Sequence, residues 1–247
     1  MKISGHILLI TLMTVVFSSC NKENAPDCIQ AAGDFKTVTR TLEAFSSIEL
    51  RDYLQIELCD APDYYVEITA PGNLIPDIQT NVDNGRLKIE NENTCNFVRS
   101  FKKRITVRIC APSFPDIQNY GTGDIKCINR LECPLVSIDN RNAAGTIDLD
   151  VKVDSIHVST HTGVCDVNIK GESGETYLFS QGVGVIDARH LISANAFVNN
   201  SSINDVYVNT DGYFFAFIRY SGNIYYLGHP NHIDSDIRED GELIFIE

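Results

Sequence analysis

IDNRNAAGTIDLDVKVDSIHVSTHTGVCDV, residues 138–167, contains its own pattern twice. Ile138, Asn140, Gly145 and Ile147 are followed, twenty residues on in each case, by Val158, Thr160, Cys165 and Val167. The same phase extends in both directions. Ile117, Ile138, Val158, Leu178, Val198, Ile218 and Ile237 are spaced 21, 20, 20, 20, 20 and 19 residues apart. A second apolar series runs through Ile125, Ile147, Val167, Ile186, Val206, Ile224 and Leu243. Two residues after each member of the first series stands a mostly polar one: Asn119, Asn140, Thr160, Ser180, Asn200, Tyr220 and Glu239. Two residues before each member of the second stand Gly123, Gly145, Cys165, Gly184, Asn204, Gly222 and Gly241.

A twenty-residue period built from short alternating apolar runs, with glycine at constant phase, is foreign to helices. At about 3.3 Å per residue, twenty residues supply three short strands and three corners, one turn of a solenoid. Each turn then hydrogen-bonds to the next and drops its apolar residues onto a shared inner column. Glycine and asparagine at one phase mark a corner that demands positive φ, and the polar series is a stack of side chains beside it. The expected class is therefore all-β, a parallel β-helix with coils of about 20 residues. An antiparallel sandwich is the rival, since two hairpin strands also span about twenty residues, but hairpins do not require one glycine per strand pair at fixed phase.

The first half repeats less cleanly. Ile48, Ile68, Ile89 and Ile109 form one series, and Ile56, Ile78, Val98 and Ile117 another. The run ITVRI at 105–109, followed by Pro112 and Pro115, separates the halves and leaves room for an antiparallel cap. One domain is expected over residues 38–247, with a soft internal boundary near 113.

The N-terminus reads as an address. Lys2 precedes an apolar run from Ile7 to Phe17, which is shorter than the roughly 20 residues a membrane-spanning helix needs. Residues 1–19 are read as a signal peptide. Phe17-Ser18-Ser19-Cys20 then has the order of a bacterial lipobox, making Cys20 the expected lipid attachment site and membrane anchor. Residues 20–37 are a polar tether. The expected location is the outer membrane, lipid-anchored and facing either side. The formal net charge is −13, and it deepens by one when Lys2 leaves with the signal. So acidic a surface repels phosphate backbones and anionic head groups, which argues against a nucleic-acid partner and against attachment through a basic patch.

Several segments resemble one family: TLEAFSSIEL, GRLKIENEN, ITVRICAPSF leading to NYGTGDIKC, the successive glycine-containing coils, SGNIYYLGHP and the ending DGELIFIE. Together they are similar to the auto-transporter adhesin head GIN domain proteins, over essentially residues 38–247. The resemblance implies a right-handed β-helix like that of pectin lyases, an adhesive role, and no catalytic residues. Cys165 and Asn204 depart from the glycine expected at their phase.

Pectin-lyase-like helices also include carbohydrate-active enzymes, which need carboxylates converging at about 5–9.5 Å. Asp148 and Asp150 share a strand face, with Asp187, Arg189 and His190 further on. No Asp-Asp pair or basic cluster accompanies them, and outward aspartates are ordinary in an acidic protein. His157 with His161, and His229 with His232, fall on strands and turns rather than on a helix, so they read as surface residues and no metal or cofactor is expected. NVDNG at 81–85 is a turn. Of the seven cysteines after Cys20, no two are spaced C-x-x-C. Most read as packing residues, with Cys28 and Cys95 the candidate disulfide, since both lie in polar segments outside the apolar columns. For binding, the aromatic-rich stretch from residue 213 offers Tyr213, Tyr220, Tyr225 and Tyr226 as a candidate patch, with a glycan or a host surface protein as partner. Core packing and end-capping are the competing uses of these rings. A non-catalytic adhesive surface is the leading expectation; an enzyme on the same scaffold and a ligand-free envelope scaffold are the alternatives.

Overall fold

A computed structural model of the chain describes residues 32–93 and 104–247. It is built almost entirely of strands, and those after residue 113 pair parallel with neighbours one coil away. The coils begin with β2 (Ser47–Leu50) and β3 (Gln55–Asp60), on which lie β8 (Phe114–Asn119) and β9 (Ile125–Cys127). Above them come β10 (Leu131–Asn140), β11 (Ala143–Thr160), β12 (Gly163–Ser180) and β13 (Ile186–Asn200). β14 (Val206–Thr210), β15 (Tyr213–Ile218), β16 (Ile224–Leu227), β17 (His232–Ile237) and β18 (Leu243–Phe245) complete the stack. This is a β-solenoid of about seven turns. The sandwich rival fails because the repeat arises from parallel coils, not hairpins. Expected short strands fuse into runs of up to 18 residues, bent where inward-facing residues change phase between Val153 and Ile156.

The second apolar series is a register column throughout: Ile125 faces Ile147, then Val167, Ile186, Val206, Ile224 and Leu243 in turn. The first holds from Ile117 to Val198 and then slips, so that Val198 faces Ala216 while Ile218 faces Asn200. The cause is local. Arg189, His190 and Leu191 have no counterparts in the next coil, which is consequently shorter. The slip removes Tyr220 and Glu239 from the polar series. Its remaining members Asn119, Asn140, Thr160, Ser180 and Asn200 stack in register and are buried. Asn119 Nδ2 donates to Asn140 Oδ1 at 2.7 Å, and Asn200 Nδ2 to the carbonyls of Asn204 and Asn223.

The glycine series is also a stack, but for a different reason from the one expected. Positive φ occurs within it only at Gly145 and Gly184. What its glycines share is close approach to the coil below. A Cβ on Gly123 would lie 1.7 Å from the Leu54 carbonyl oxygen, one on Gly184 2.0 Å from that of Cys165, and one on Gly222 2.1 Å from that of Asn204. Cys165 keeps its place by turning its side chain into the core.

The other end is built differently. β4 (Tyr65–Pro71) runs antiparallel to both β1 (Phe35–Thr41) and β7 (Thr106–Ala111), and β5 (Ile78–Asp83) antiparallel to β6 (Arg86–Asn91). β6 and β7 then pair parallel with β2 and β3. Among the described residues neither apolar series proposed for this half is a register column: Ile48 faces Leu87 and Ile117, Ile56 faces Val107 and Ile125, and Val98 lies outside the described residues. Of NVDNG at 81–85, residues 81–83 end β5 and only Asn84 and Gly85, both at positive φ, form the β5–β6 turn.

Candidate binding surfaces

Along each strand every second side chain leaves the core, and the parallel register brings outward residues one above another. On the side formed by β11, β12, β13 and β15 this produces two columns. One is His157, Tyr177, Phe197 and Phe215; the other, two residues along each strand, is Ser159, Phe179, Asn199 and Phe217. Tyr177 and Phe197 stack with centroids 4.7 Å apart and planes 6° from parallel, the spacing of the coils themselves. His157 meets Tyr177 edge-on at 4.6 Å, and Tyr213 closes on Phe197 at 5.6 Å. Arg238 caps Phe217 with its guanidinium 5.0 Å from the ring centre. Where rings face one another along the solenoid axis, they turn their edges to solvent. Between the columns, about 6.6 Å apart along the strand, runs a trough of 370 Å³ with a largely aromatic lining.

The rim of this face is acidic. Tyr177 donates its hydroxyl to Glu175 at 2.5 Å, which raises the phenol pKa, and Tyr213 donates to Asp234 at 2.8 Å with the same effect. His161 Nε2 lies 2.8 Å from Asp139.

The four tyrosines singled out in the sequence are dispersed. Tyr213 joins the aromatic face just described. Tyr225 points outward on a different side, stacked on Tyr207 at 4.9 Å, and Tyr207 carries Arg189 over its other face at 4.5 Å. Tyr226 turns inward against Phe214 and the core. Tyr220 stands half exposed after β15. Strand alternation and the passage from β15 to β16 separate residues that are neighbours in sequence. Conversely, Tyr177, Phe179 and Phe197 escaped notice because they are scattered along the chain. The available signal was an aromatic immediately before or after an inward residue of the first apolar series.

Asp148, Asp150 and Asp187 do meet, lining one groove of 430 Å³ with Asn168, Lys170, Arg130 and His190. Asp148 faces Asn168, which faces Asp187. Each carboxylate is engaged. Asn168 Nδ2 donates to Asp148 at 2.7 Å, Arg130 Nε to Asp150 at 2.8 Å, and Arg189 Nε to Asp187 at 3.0 Å. The Arg189 hydrogen bonds hold the Asp187 carboxyl below its usual range, opposite to what a general acid needs. Among the described residues no cluster of three or more His, Cys, Asp or Glu is placed to hold a metal, and no helix is long and apolar enough to cross a membrane. Cys20, Cys28 and Cys95 lie outside the described residues.

Fold and sequence together define an adhesin-like β-solenoid domain. The family model described as "Putative auto-transporter adhesin, head GIN domain" matches residues 44–230, and the chain belongs to that family. A "putative adhesin" structure from Bacteroides fragilis is similar at 24% identity and a TM-score of 0.79, covering 86% of this chain and 97% of that one. Two structures from Parabacteroides distasonis, described as a "putative lipid binding protein" and a "putative adhesin", share the fold at 18% and 17% identity. Both have a TM-score of 0.62 and cover 87% of this chain and 98% of theirs. No curated protein matches the sequence.

Proposed function

We propose that this chain is a cell-envelope lipoprotein, exported by residues 1–19 and anchored to the outer membrane through Cys20. Its solenoid is a non-catalytic adhesive surface. The contact face is the aromatic one, and the observation that carries this reading is the pair of outward columns holding Tyr177, Phe197 and Phe215 beside Phe179 and Phe217. Apolar rings aligned over successive coils and left at the surface fit a docking strip. With ring faces largely used against each other, the trough offers aromatic edges and suits an apolar segment of a host surface protein better than a stacked sugar. Membership of an adhesin family supports the same reading.

The test is retention of matrix proteins, mucins, glycans and lipid vesicles by the immobilised mature chain, compared with Tyr177→Ser/Phe179→Ser/Phe217→Ser. A protein ligand retained by the parent, with at least tenfold weaker binding by the triple variant, is expected. Retention indifferent to these substitutions would remove the aromatic face from the proposal. Silence toward every surface would favour an unliganded scaffold. A second reading, polysaccharide cleavage, draws on the groove shared by Asp148, Asp150 and Asp187. Cleavage lost in Asp148→Asn and Asp187→Asn would establish it. We expect no products, because those carboxylates are already tied to Asn, Arg and Lys partners.

A further inference from the structure

We propose that Cys59 and Cys110 form a disulfide that ties the antiparallel end of the molecule to its first coil. The two residues are 51 positions apart and directly opposite one another on the parallel strands β3 and β7. Partners on adjacent strands have Cα atoms about 4.8 Å apart, inside the range of about 4.4–6.8 Å that a disulfide spans. Their side chains leave the sheet on the same side. Two residues earlier on the same strands, Glu57 and Arg108 occupy the equivalent outward positions, and their side chains meet at 2.9 Å.

The surroundings favour this pair over any other among the described cysteines. Cys127 faces Leu58, Cys133 faces Val153 and Cys165 faces Gly145, so none of these has a cysteine opposite it. Cys110 is fully buried and interacts with both the Cys59 thiol and the hydroxyl of Tyr65, its partner on β4. Burial pushes the Cys110 thiol up to about 12, whereas Cys59 remains partly open to solvent. These positions assign the order of events. The Cys59 thiolate attacks one sulfur of a small or protein disulfide oxidant, forming a mixed disulfide and expelling the oxidant's first thiolate. Cys110 then loses its proton and attacks the Cys59 sulfur, expelling the second. Two electrons pass from the cysteine pair to the oxidant, which leaves as a dithiol or as two thiols with the two protons. The closed loop encloses β4, β5 and β6, the strands that break the parallel pattern.

The full chain, equilibrated with oxidised and reduced glutathione, alkylated and digested without reduction, should yield a peptide pair joined through Cys59 and Cys110 that separates on reduction. The pair should vanish in Cys59→Ser. Reduction should lower the denaturant midpoint of the parent and leave that of Cys59→Ser unmoved. Because Cys59 is only partly buried, this variant keeps the core intact, and Cys110→Ala provides the reciprocal check. Recovery of both cysteines as alkylated thiols after oxidation, or linkage of either to another cysteine, would overturn the proposal.

Discussion

The two ends of this molecule solve the same problem by different rules. From β10 onward each strand lies on the strand one coil earlier, at an offset close to twenty residues. Before β8 the offsets range widely: β5 pairs with β6 across a tight turn, while β3 reaches β7 some fifty residues away. Burial is equally complete in both parts, with Val66, Ile68 and Ile109 as inaccessible as Val167 and Ile186. Regular spacing is therefore a property of consecutive coils stacked one on the next, not of parallel pairing alone or of a good core. Tolerance to substitution should also divide along this line.

The sharpest contrast is between glycines. Gly123→Ala places a methyl group 1.7 Å from the Leu54 carbonyl oxygen, inside the hydrogen-bonded stack, where nothing flexible can give way. We expect a loss of about 4 kcal/mol, the scale of severe steric conflict. Gly85→Ala, in the β5–β6 turn, meets only Ser46 Oγ at 3.7 Å and suffers from its φ of +75° alone. About 1 kcal/mol is expected there. Urea unfolding followed by circular dichroism reads both, and equal losses would erase the distinction.

Next comes the buried polar stack of the coils. Asn119→Ala removes the donor to Asn140 and the side-chain acceptor of the Gly121 amide, leaving buried polar groups unpaired. About 2 kcal/mol should be lost, measurable by the same unfolding curves.

The smallest effect lies in the charge ladder of the other end. Arg108 sits between Glu57 and Glu67, at 2.9 and 2.7 Å, and Lys126 reaches Glu57 at 3.1 Å. Burial alone would raise the Glu57 carboxyl, but hydrogen bonds from Lys126 and Arg108 outweigh it and hold the value below normal. A lowered folded-state value means stability that is present above the unfolded carboxylate range, about 4.3, and lost as pH falls through the folded value. Arg108→Leu should cost about 1 kcal/mol at pH 7. It should also flatten the decline in stability between pH 5 and 3, and thermal melts across that interval check the slope.

How much of this could be read from residues alone follows the same division. The column from Ile125 to Leu243 was legible because an apolar residue recurs at that phase in every coil and stays in register, even where the coils shorten. The column from Ile117 was legible as far as Val198 and misleading beyond, because residues 189–191, which lack counterparts in the next coil, shift that coil without altering the apolar spacing. The glycines stood out, yet their cause did not: proximity to a carbonyl one coil below is invisible until the coils are stacked. In the first half, antiparallel pairing could be expected in outline, while its registers left no periodic trace. Surfaces were hardest. Tyr213, Tyr220, Tyr225 and Tyr226 looked like a patch because they are close in sequence, whereas Tyr177, Phe179 and Phe197 meet only across coils. Asp148 and Asp150 were read as sharing a strand face with Asp187 further on, and all three line one groove, but their Asn168, Arg130 and Arg189 partners were not foreseen.

The aromatic columns run along the axis of the stack, at one ring position per turn. Such a rail changes length in whole steps: duplicating or deleting one coil adds or removes about 4.8 Å of track and leaves neighbouring turns as they were. The extent of the proposed contact face is thus set by the number of repeats rather than by the shape of a pocket.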